Sequence, residues 1–309
     1  MENPFFSIII PTFNRAKMIQ KAIRSVFDQS FDSWEIIVVD DGSTDNTEEV
    51  ILSYNNPKVR YIYQENKERS AARNLGISQS KGRFICFLDN DDLYLSEHLQ
   101  KFYNEIMKQN FTDGMYLSGH IIKSNGVELS RSKFFTDSYK NAVTFAFQTL
   151  PFPDDVCLPR HIAIGNPFPE EYNIFEDGHV WMRILSRYPL FQITDHTCIV
   201  TEHSERSTNK IFEGVDVNYL KTYINCANDL FDNYGLLLEP YFPRANWKKF
   251  IISKLITVSQ IAISKGKYTE SRQILSFMIN QQPSTLFNYK TLKLGLMSAK
   301  KQNHSNSVI

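Results

Sequence analysis

The chain has 309 residues, 42% of them apolar and 22% charged, with 34 basic and 34 acidic side chains that cancel. These are ordinary globular values and exclude a low-complexity chain; the length suits one large domain or two smaller ones. The zero net charge by itself implies no partner, and no run of about 18 apolar residues is present to span a bilayer.

The first residues, MENPFFSIIIPTF, carry no basic segment and pass directly into a strand-like run, so no signal peptide is expected. Residues 5–13 form a continuous apolar stretch closed by Pro11, the pattern of a strand buried on both faces in a parallel sheet. Ala16, Ile19, Ala22, Ile23, Val26 and Phe27 then recur at helical spacing. A second buried run, Ile36 to Val39, ends in Asp40-Asp41-Gly42. A helix is predicted after it, with Asp45 as N-cap and Glu48 as its capping-box partner. A third short strand is expected over 59–64 and a helix over about 67–80, stopped by Gly82. The fourth strand, RFICFLD, runs into Asp89, Asn90, Asp91 and Asp92. The next helix starts near Ser96, with Leu99, Phe102, Tyr103, Ile106 and Met107 on its inner face.

Strands alternating with helices predict βαβ units and a parallel sheet flanked by helices. Residues 111–210 are mixed and include the Pro-rich stretch LPFPDDVCLPR and a helix over about 177–187. From about 215 to 300 the pattern is helical throughout. Within it, GKYTESRQILSFMINQQP resembles one unit of a helical-hairpin repeat. The four cysteines, Cys86, Cys157, Cys198 and Cys226, show no CxxC pair or zinc spacing, which predicts reduced, buried thiols in a cytosolic protein.

Ligands of open parallel sheets bind outside the carboxyl ends of the strands. Thr12 and Asn14, Asp40 and Asp41, and Asp89 to Asp92 would all meet at that edge. Packed carboxylates repel one another unless a divalent cation neutralises them. Mg²⁺ and Mn²⁺ prefer oxygen ligands and are often held by one or two carboxylates plus the phosphates of a substrate. Asp89-Asn90-Asp91 therefore reads as a metal site completed by a diphosphate; alone, the same tripeptide also suits an acidic loop capping a helix. Asp40-Asp41 can accept hydrogen bonds from a base or ribose, with Phe13 nearby to stack. Glu176 and Asp177 open a helix on a polar segment away from Val180, Trp181, Ile184 and Leu185. They suit either an acid–base role or first-turn acids on the helix dipole.

Three segments together, residues 7–47, ERSAARNLGISQSKGRFICFLDNDD and FEDGHVWMRI, resemble the inverting glycosyltransferases of family 2 over about residues 5–207. The resemblance implies an α/β fold of the GT-A type, Rossmann-like with a mostly parallel sheet flanked by helices. It implies a nucleotide-diphosphate sugar donor, most often a UDP-sugar, with Mn²⁺ or Mg²⁺ at the DxD motif. By matching positions, Pro11, Thr12 and Phe13 would line the donor base, Asn14 would belong to the same donor site and Asp41 would contact uracil. Arg73 would lie near the diphosphate, Asp89 and Asn90 beside ribose or sugar, and Asp91 on the metal. Asn90 departs from the commoner Ser or Ala there. Asp177 would be the general base, with Glu176 orienting the acceptor. TEHSERST (201–208) resembles a loop that closes over the donor, with His203 at the metal or diphosphate and Arg206 or Ser207 on the phosphates.

The catalytic domain is expected over 1–210 and an α-helical C-terminal extension over 211–309. From Pro240 onward eleven Lys and Arg face one acid, Glu270. That excess suits a solvated basic face, or contact with an anionic inner membrane leaflet beside a saccharide or lipid-linked saccharide acceptor. No nucleic-acid-binding module is recognisable. Two other functions would ask for different features. A nucleotidyltransferase would need a Gly-rich basic loop after the first strand, and PTFNRAK has no glycine. A non-catalytic nucleotide-sugar-binding module would not require the full acid set.

Overall fold

The computed structural model describes residues 3–203, 216–281 and 294. The chain divides into two compact units, Met1–His203 with Leu236–Tyr241, and Ser204–Gly235 with Phe242–Ile309.

The first unit begins as a βαβ array: β1 (Phe6–Thr12), α1 (Ala16–Phe27), β2 (Trp34–Asp40), α2 (Thr47–Leu52), β3 (Val59–Tyr63), α3 (Glu68–Gln79) and β4 (Phe84–Phe87). It continues through β5 (Leu93–Tyr94), α4 (His98–Lys108), β6 (Met115–Ser124), β7 (Val127–Arg131) and α5 (Ala142–Thr149). A 3₁₀ turn (Pro153–Asp155) then leads into β8 (Val156–Pro159), α6 (Arg160–Gly165), α7 (Glu176–Leu185) and β9 (Leu190–Thr201). The strands form one sheet in the order β3-β2-β1-β4-β8-β6-β9-β5, with β7 paired to β6. The β3-β2-β1-β4 half is parallel. Beyond it β8 is antiparallel to both β4 and β6, β9 is parallel to β6, and β5 is antiparallel to β9.

The continuous apolar runs behave as parallel core strands should. Every residue of β1 and β2 is buried. Ile8, Ile10, Ile36 and Val38 pack with Ile19, Ile23 and Val26 of α1 and Leu99, Phe102 and Ile106 of α4. Ile37 and Val39 point to the other face, against Ala72 of α3. Gly76 permits that contact, since a Cβ there would lie 2.5 Å from Ile9 Cγ2. α3 is thereby pressed onto the sheet, and it carries Arg69, Ser70, Arg73 and Asn74 to the sheet's carboxyl end.

Three local expectations are corrected. The Asp45–Glu48 capping box does not form. Asp45 accepts instead from Thr47 N at 3.1 Å and Ala16 N at 3.2 Å, so one carboxylate ties the starts of α1 and α2, while Glu48 is exposed. Gly82 does not end α3, which stops at Gln79 as Ser80 turns extended. Gly82 is needed for close approach, since a Cβ would sit 2.5 Å from Ser7 N. Met107, expected on the inner face of α4, is exposed, because it falls just past the edge of the Leu99–Phe102–Ile106 stripe. The four cysteines are free and buried, as their spacing suggested.

The second unit contains α8 (Val217–Leu238) up to Gly235, α9 (Arg244–Ser264) and α10 (Tyr268–Gln281). Its core holds Trp247 stacked on Phe231 at 5.7 Å, with the indole N–H donated to Asn228 Oδ1. α9 and α10 form a hairpin. Gly266, at φ +75°, lets Lys267 N reach Ala262 O and Gly266 N reach Ile263 O, a Schellman turn. Among the described residues no helix is long and apolar enough to cross a membrane.

Candidate active site

Because β1, β2 and β4 are parallel, their carboxyl ends share one rim, and three bonds stitch the loops beyond them. Asp41 N donates to Thr12 O at 2.8 Å, Leu88 N to Ile9 O at 3.0 Å, and the Asn90 side chain to Pro11 O at 2.9 Å. Asn90 thus braces the DND loop against the end of β1. Asn14, at φ +52°, accepts from the amides of Thr44 and Asp45 and donates its own amide to Ser43 Oγ. It holds the loop after β2 in place. Phe13 projects from this rim with 45% of its surface exposed.

The paired aspartates after β2 divide their work. Asp40 is buried and closes the turn, accepting from Ser43 N at 2.8 Å and from the Tyr61 hydroxyl at 2.9 Å. Asp41 Oδ1 accepts from Gln64 Nε2 and Lys67 N, and no bond to Oδ2 is found among the described residues. The buried Thr12 hydroxyl likewise has no hydrogen-bond partner among the described residues.

The DND loop splays its acids in three directions. Asp89 Oδ1 meets Arg73 Nη2 at 2.8 Å. Asp91 Oδ2 meets His203 Nε2 at 2.7 Å, both side chains being about one-sixth to one-fifth exposed (19% and 17%). Asp92 turns inward, fully buried, and accepts from Thr201 N at 2.7 Å. The motif therefore presents Asp89 and Asp91 outward and uses Asp92 to fasten the loop to the end of β9.

Arg73, expected near a diphosphate, is almost wholly buried and already bound at both ends. Nη1 lies 3.1 Å from Glu176 Oε1, opposite the contact with Asp89. The two carboxylates hold the guanidinium firmly charged against the cost of burial. Arg69 Nε adds a longer contact to Glu176, at 3.8 Å.

The acids of α7 reach this cleft through the segment before it, which α3 holds. Asn74 accepts from Phe168 N and donates to Phe168 O, and the Ser70 hydroxyl donates to Tyr172 O. Phe175, at φ +64°, then turns the chain into α7. Glu176, expected on a polar segment, is buried against Arg73. Asp177 follows half-buried in the first turn and accepts from Gly178 N. Burial, and next the charge of Glu176, push the Asp177 carboxyl up to about 7, against the lowering effects of the Gly178 amide and Arg73. Such a group takes up or releases a proton near neutrality.

One acid pair went unread as functional in the sequence. Asp154 and Asp155, in the 3₁₀ turn under the DND loop, are fully buried. Asp154 Oδ1 accepts from Asp89 N at 2.8 Å, and Asp155 Oδ2 meets His120 Nδ1 at 2.7 Å. Carboxylate oxygens of Asp89, Asp92 and Asp154 lie within 4.8 Å of one another. Burial and the charges of Asp89 and Asp92 raise Asp154 well above the ordinary carboxyl range. The available signal was position: Asp-Asp directly before the apolar strand VCLP. Arg206 and Ser207 lie outside the described residues.

The sequence and the fold match a known family. Residues 7–182 match the family described as Glycosyl transferase family 2. An Escherichia coli relative, UDP-Glc:alpha-D-GlcNAc-diphosphoundecaprenol beta-1,3-glucosyltransferase WfgD, is 29% identical over 60% of this chain and 71% of its own. An uncharacterized glycosyltransferase of Rickettsia bellii is 29% identical over 84% of this chain. The chain spans only 30–36% of the length of that protein and its Rickettsia conorii counterpart. In fold, the chain matches S. aureus TarS 1-349 solved with UDP-GlcNAc, at TM-score 0.57 and 21% identity, over 82% of this chain and 80% of that one. It also matches the Pyrobaculum calidifontis mannosyltransferase PcManGT, solved with GDP-Man and Mn²⁺, at TM-score 0.53 and 15% identity, over 97% of this chain and 87% of that one. With this GT-A fold and a family match over more than half its length, the chain belongs to glycosyltransferase family 2.

Proposed function

We propose that the protein transfers a sugar, with inversion, from a UDP-sugar to a hydroxyl of a saccharide or lipid-linked saccharide acceptor in the synthesis of cell-surface polysaccharide. The observation that carries this reading is the Arg73 bridge. One guanidinium within 2.8 Å of Asp89 and 3.1 Å of Glu176 brings the DND loop and the first turn of α7 into one cleft.

The roles follow from chemistry. An acceptor hydroxyl is a poor nucleophile until its proton is removed, and Asp177, poised near neutrality, would take that proton as attack proceeds. Glu176, fixed by Arg73 and Arg69, would hold the charge that tunes Asp177. Phe13 would stack on the base, and Asp41 Oδ2 would accept the uracil imide proton, with Pro11, Thr12 and Asn14 shaping that pocket. Asp89 and Asn90 would border the ribose and sugar. Asp91 and His203 offer an oxygen and a nitrogen ligand side by side at the rim; the carboxylate suits Mn²⁺ or Mg²⁺, and the imidazole favours the softer Mn²⁺. When bound, such an ion would supply Lewis-acid stabilisation of the leaving diphosphate. Arg206 and Ser207 are proposed to reach the phosphates.

The lipid-linked acceptor is supported by the diphosphoundecaprenol in the name of the E. coli relative. Four free thiols fit a reducing compartment, and we place the enzyme in the cytoplasm at the inner face of the membrane. Residues 1–210 would form the catalytic domain and 211–309 a basic extension that meets anionic lipid. The deciding experiment is a thermal-shift screen of nucleotide sugars with Mn²⁺, followed by a transfer assay on the best donor with undecaprenyl-diphosphate sugars. Binding to the native state raises its apparent stability. Stabilisation by a UDP-sugar, and not by nucleoside triphosphates, is expected; the reverse ranking would refute the reading.

A further inference from the structure

The Pro-rich stretch LPFPDDVCLPR remains without a role in the scheme above, yet it forms a rigid platform beneath the DND loop. Trp181 donates its indole N–H to Pro151 O at 3.0 Å. Asp155 is held by His120 Nδ1 at 2.7 Å and by Phe152 N at 3.2 Å. The Cys198 thiol, buried at the end of β9, donates to Asp154 O at 3.0 Å. The backbone of Asp154 is therefore pinned from several elements. From this fixed point its carboxyl rises into the loop, Oδ1 accepting the Asp89 amide proton, while Oδ2 is buried without a hydrogen-bond partner among the described residues.

We propose that Asp154 is a positioning residue of the donor rim, whose carboxyl sets the turn that aims Asp89 at Arg73 and Asp91 at His203. This rests on the glycosyltransferase reading of those two acids. Oxygens of Asp89, Asp92 and Asp154 lie within 4.8 Å inside the protein, a spacing at which three full negative charges repel strongly. Asp154 Oδ1 accepts from Asp89 N, and Oδ2 lies buried. An asparagine reproduces the accepting oxygen and the shape of the side chain without the charge. An alanine reproduces neither. A residue that served as a cation ligand would instead need the charged carboxylate, which asparagine lacks.

The test compares full-length Asp154→Asn and Asp154→Ala with the parent protein. Amide hydrogen exchange of the segment around Leu88–Asp92, measured without any ligand, reads the Asp89 bond directly. Asp154→Ala should exchange there about tenfold faster or more while the β1 and β2 amides are unchanged, and Asp154→Asn should stay within about threefold of the parent. Titration of UDP with Mn²⁺ should show binding weakened about tenfold or more in Asp154→Ala and little changed in Asp154→Asn. Unchanged exchange in Asp154→Ala overturns the proposal. So does a folded Asp154→Asn that loses Mn²⁺-dependent binding, and this second criterion decides the matter if the alanine variant does not fold. Should the parent protein itself ignore UDP and Mn²⁺, the nucleotide-sugar reading falls, and the exchange comparison still decides what Asp154 does.

Discussion

Arg73 and Glu176 lie 103 residues apart in the chain, yet their charged groups meet at 3.1 Å in the protein interior. The same guanidinium meets Asp89, so one cation joins the loop after β4 to the first turn of α7. This makes the two rims of the cleft mutually dependent. Asp89 cannot move without disturbing the partner of Glu176, and Glu176 is the charge that helps hold Asp177 near neutrality.

Replacing Arg73 should therefore damage stability and catalysis together. Arg73→Met leaves Glu176 buried without its cation, a change that costs roughly 3–5 kcal/mol when one partner of a buried pair is removed. Urea denaturation should show it as a lowered midpoint, and the folded remainder should transfer no sugar. Arg73→Lys keeps the charge but cannot span both acids, and should fall between the two. A wild-type midpoint for Arg73→Met would mean that the bridge contributes nothing.

The raised Asp177 carboxyl gives two linked pH effects. On the proposed role of Asp177 as base it must be ionised, so kcat should rise with pH through about 7 and then level off. The stability effect has the opposite direction. An acid whose folded pKa exceeds its unfolded value holds more protons when native, so the native state loses stability as pH climbs from about 4 to about 7. Asp177→Asn escapes that penalty. It should be inactive, yet more stable than the parent at about pH 8 by on the order of 3 kcal/mol, the difference closing towards about pH 4. Denaturant titrations at both ends of that range measure it.

Much of this site was readable before the fold was known, and the reason is physical. Parallel core strands appear as unbroken apolar runs, so β1, β2 and β4 and the acids that close them could be located from residues such as Ile36–Val39 and Phe84–Phe87. Two strands of the mixed half gave no such signal. β5 has two residues, and β6 finds its neighbours β8 and β9 only through long-range pairing. Arg73 was visible as a candidate site residue, but its partners were not. A contact between residues 73 and 176 depends on how α3 sits on the sheet, which Gly76 and Ile9 decide. Asp154 was hidden for the same reason, since its meaning comes from the Asp89 amide above it.

Variants of the DND loop and of α7 should separate binding from chemistry. Asp91→Ala should abolish transfer and also the stabilisation that UDP and Mn²⁺ together confer in a thermal-shift assay. Asp177→Ala should abolish transfer and leave that stabilisation intact. His203→Ala should weaken the Mn²⁺ dependence about tenfold to a hundredfold, as loss of a ligand neighbour does. EDTA should silence the parent enzyme reversibly. Equal donor binding by Asp91→Ala and the parent would remove the metal from this position.

Phe13 tests the base pocket with little structural risk. Its ring is 45% exposed at the end of β1 and contributes little to the core, so Phe13→Ala should leave the denaturation midpoint nearly unchanged. If the ring stacks on the donor base, its loss should cost about 1–3 kcal/mol of donor binding, the usual value of a base on an aromatic face. That corresponds to a rise in donor KM of roughly fivefold to a hundredfold. Acceptor KM should not move, because the acceptor is expected at the opposite rim, beside Asp177. Phe13→Trp should retain or improve donor affinity. A Phe13→Ala variant with unaltered donor KM would relocate the base, and with it the roles assigned to Thr12 and Asp41.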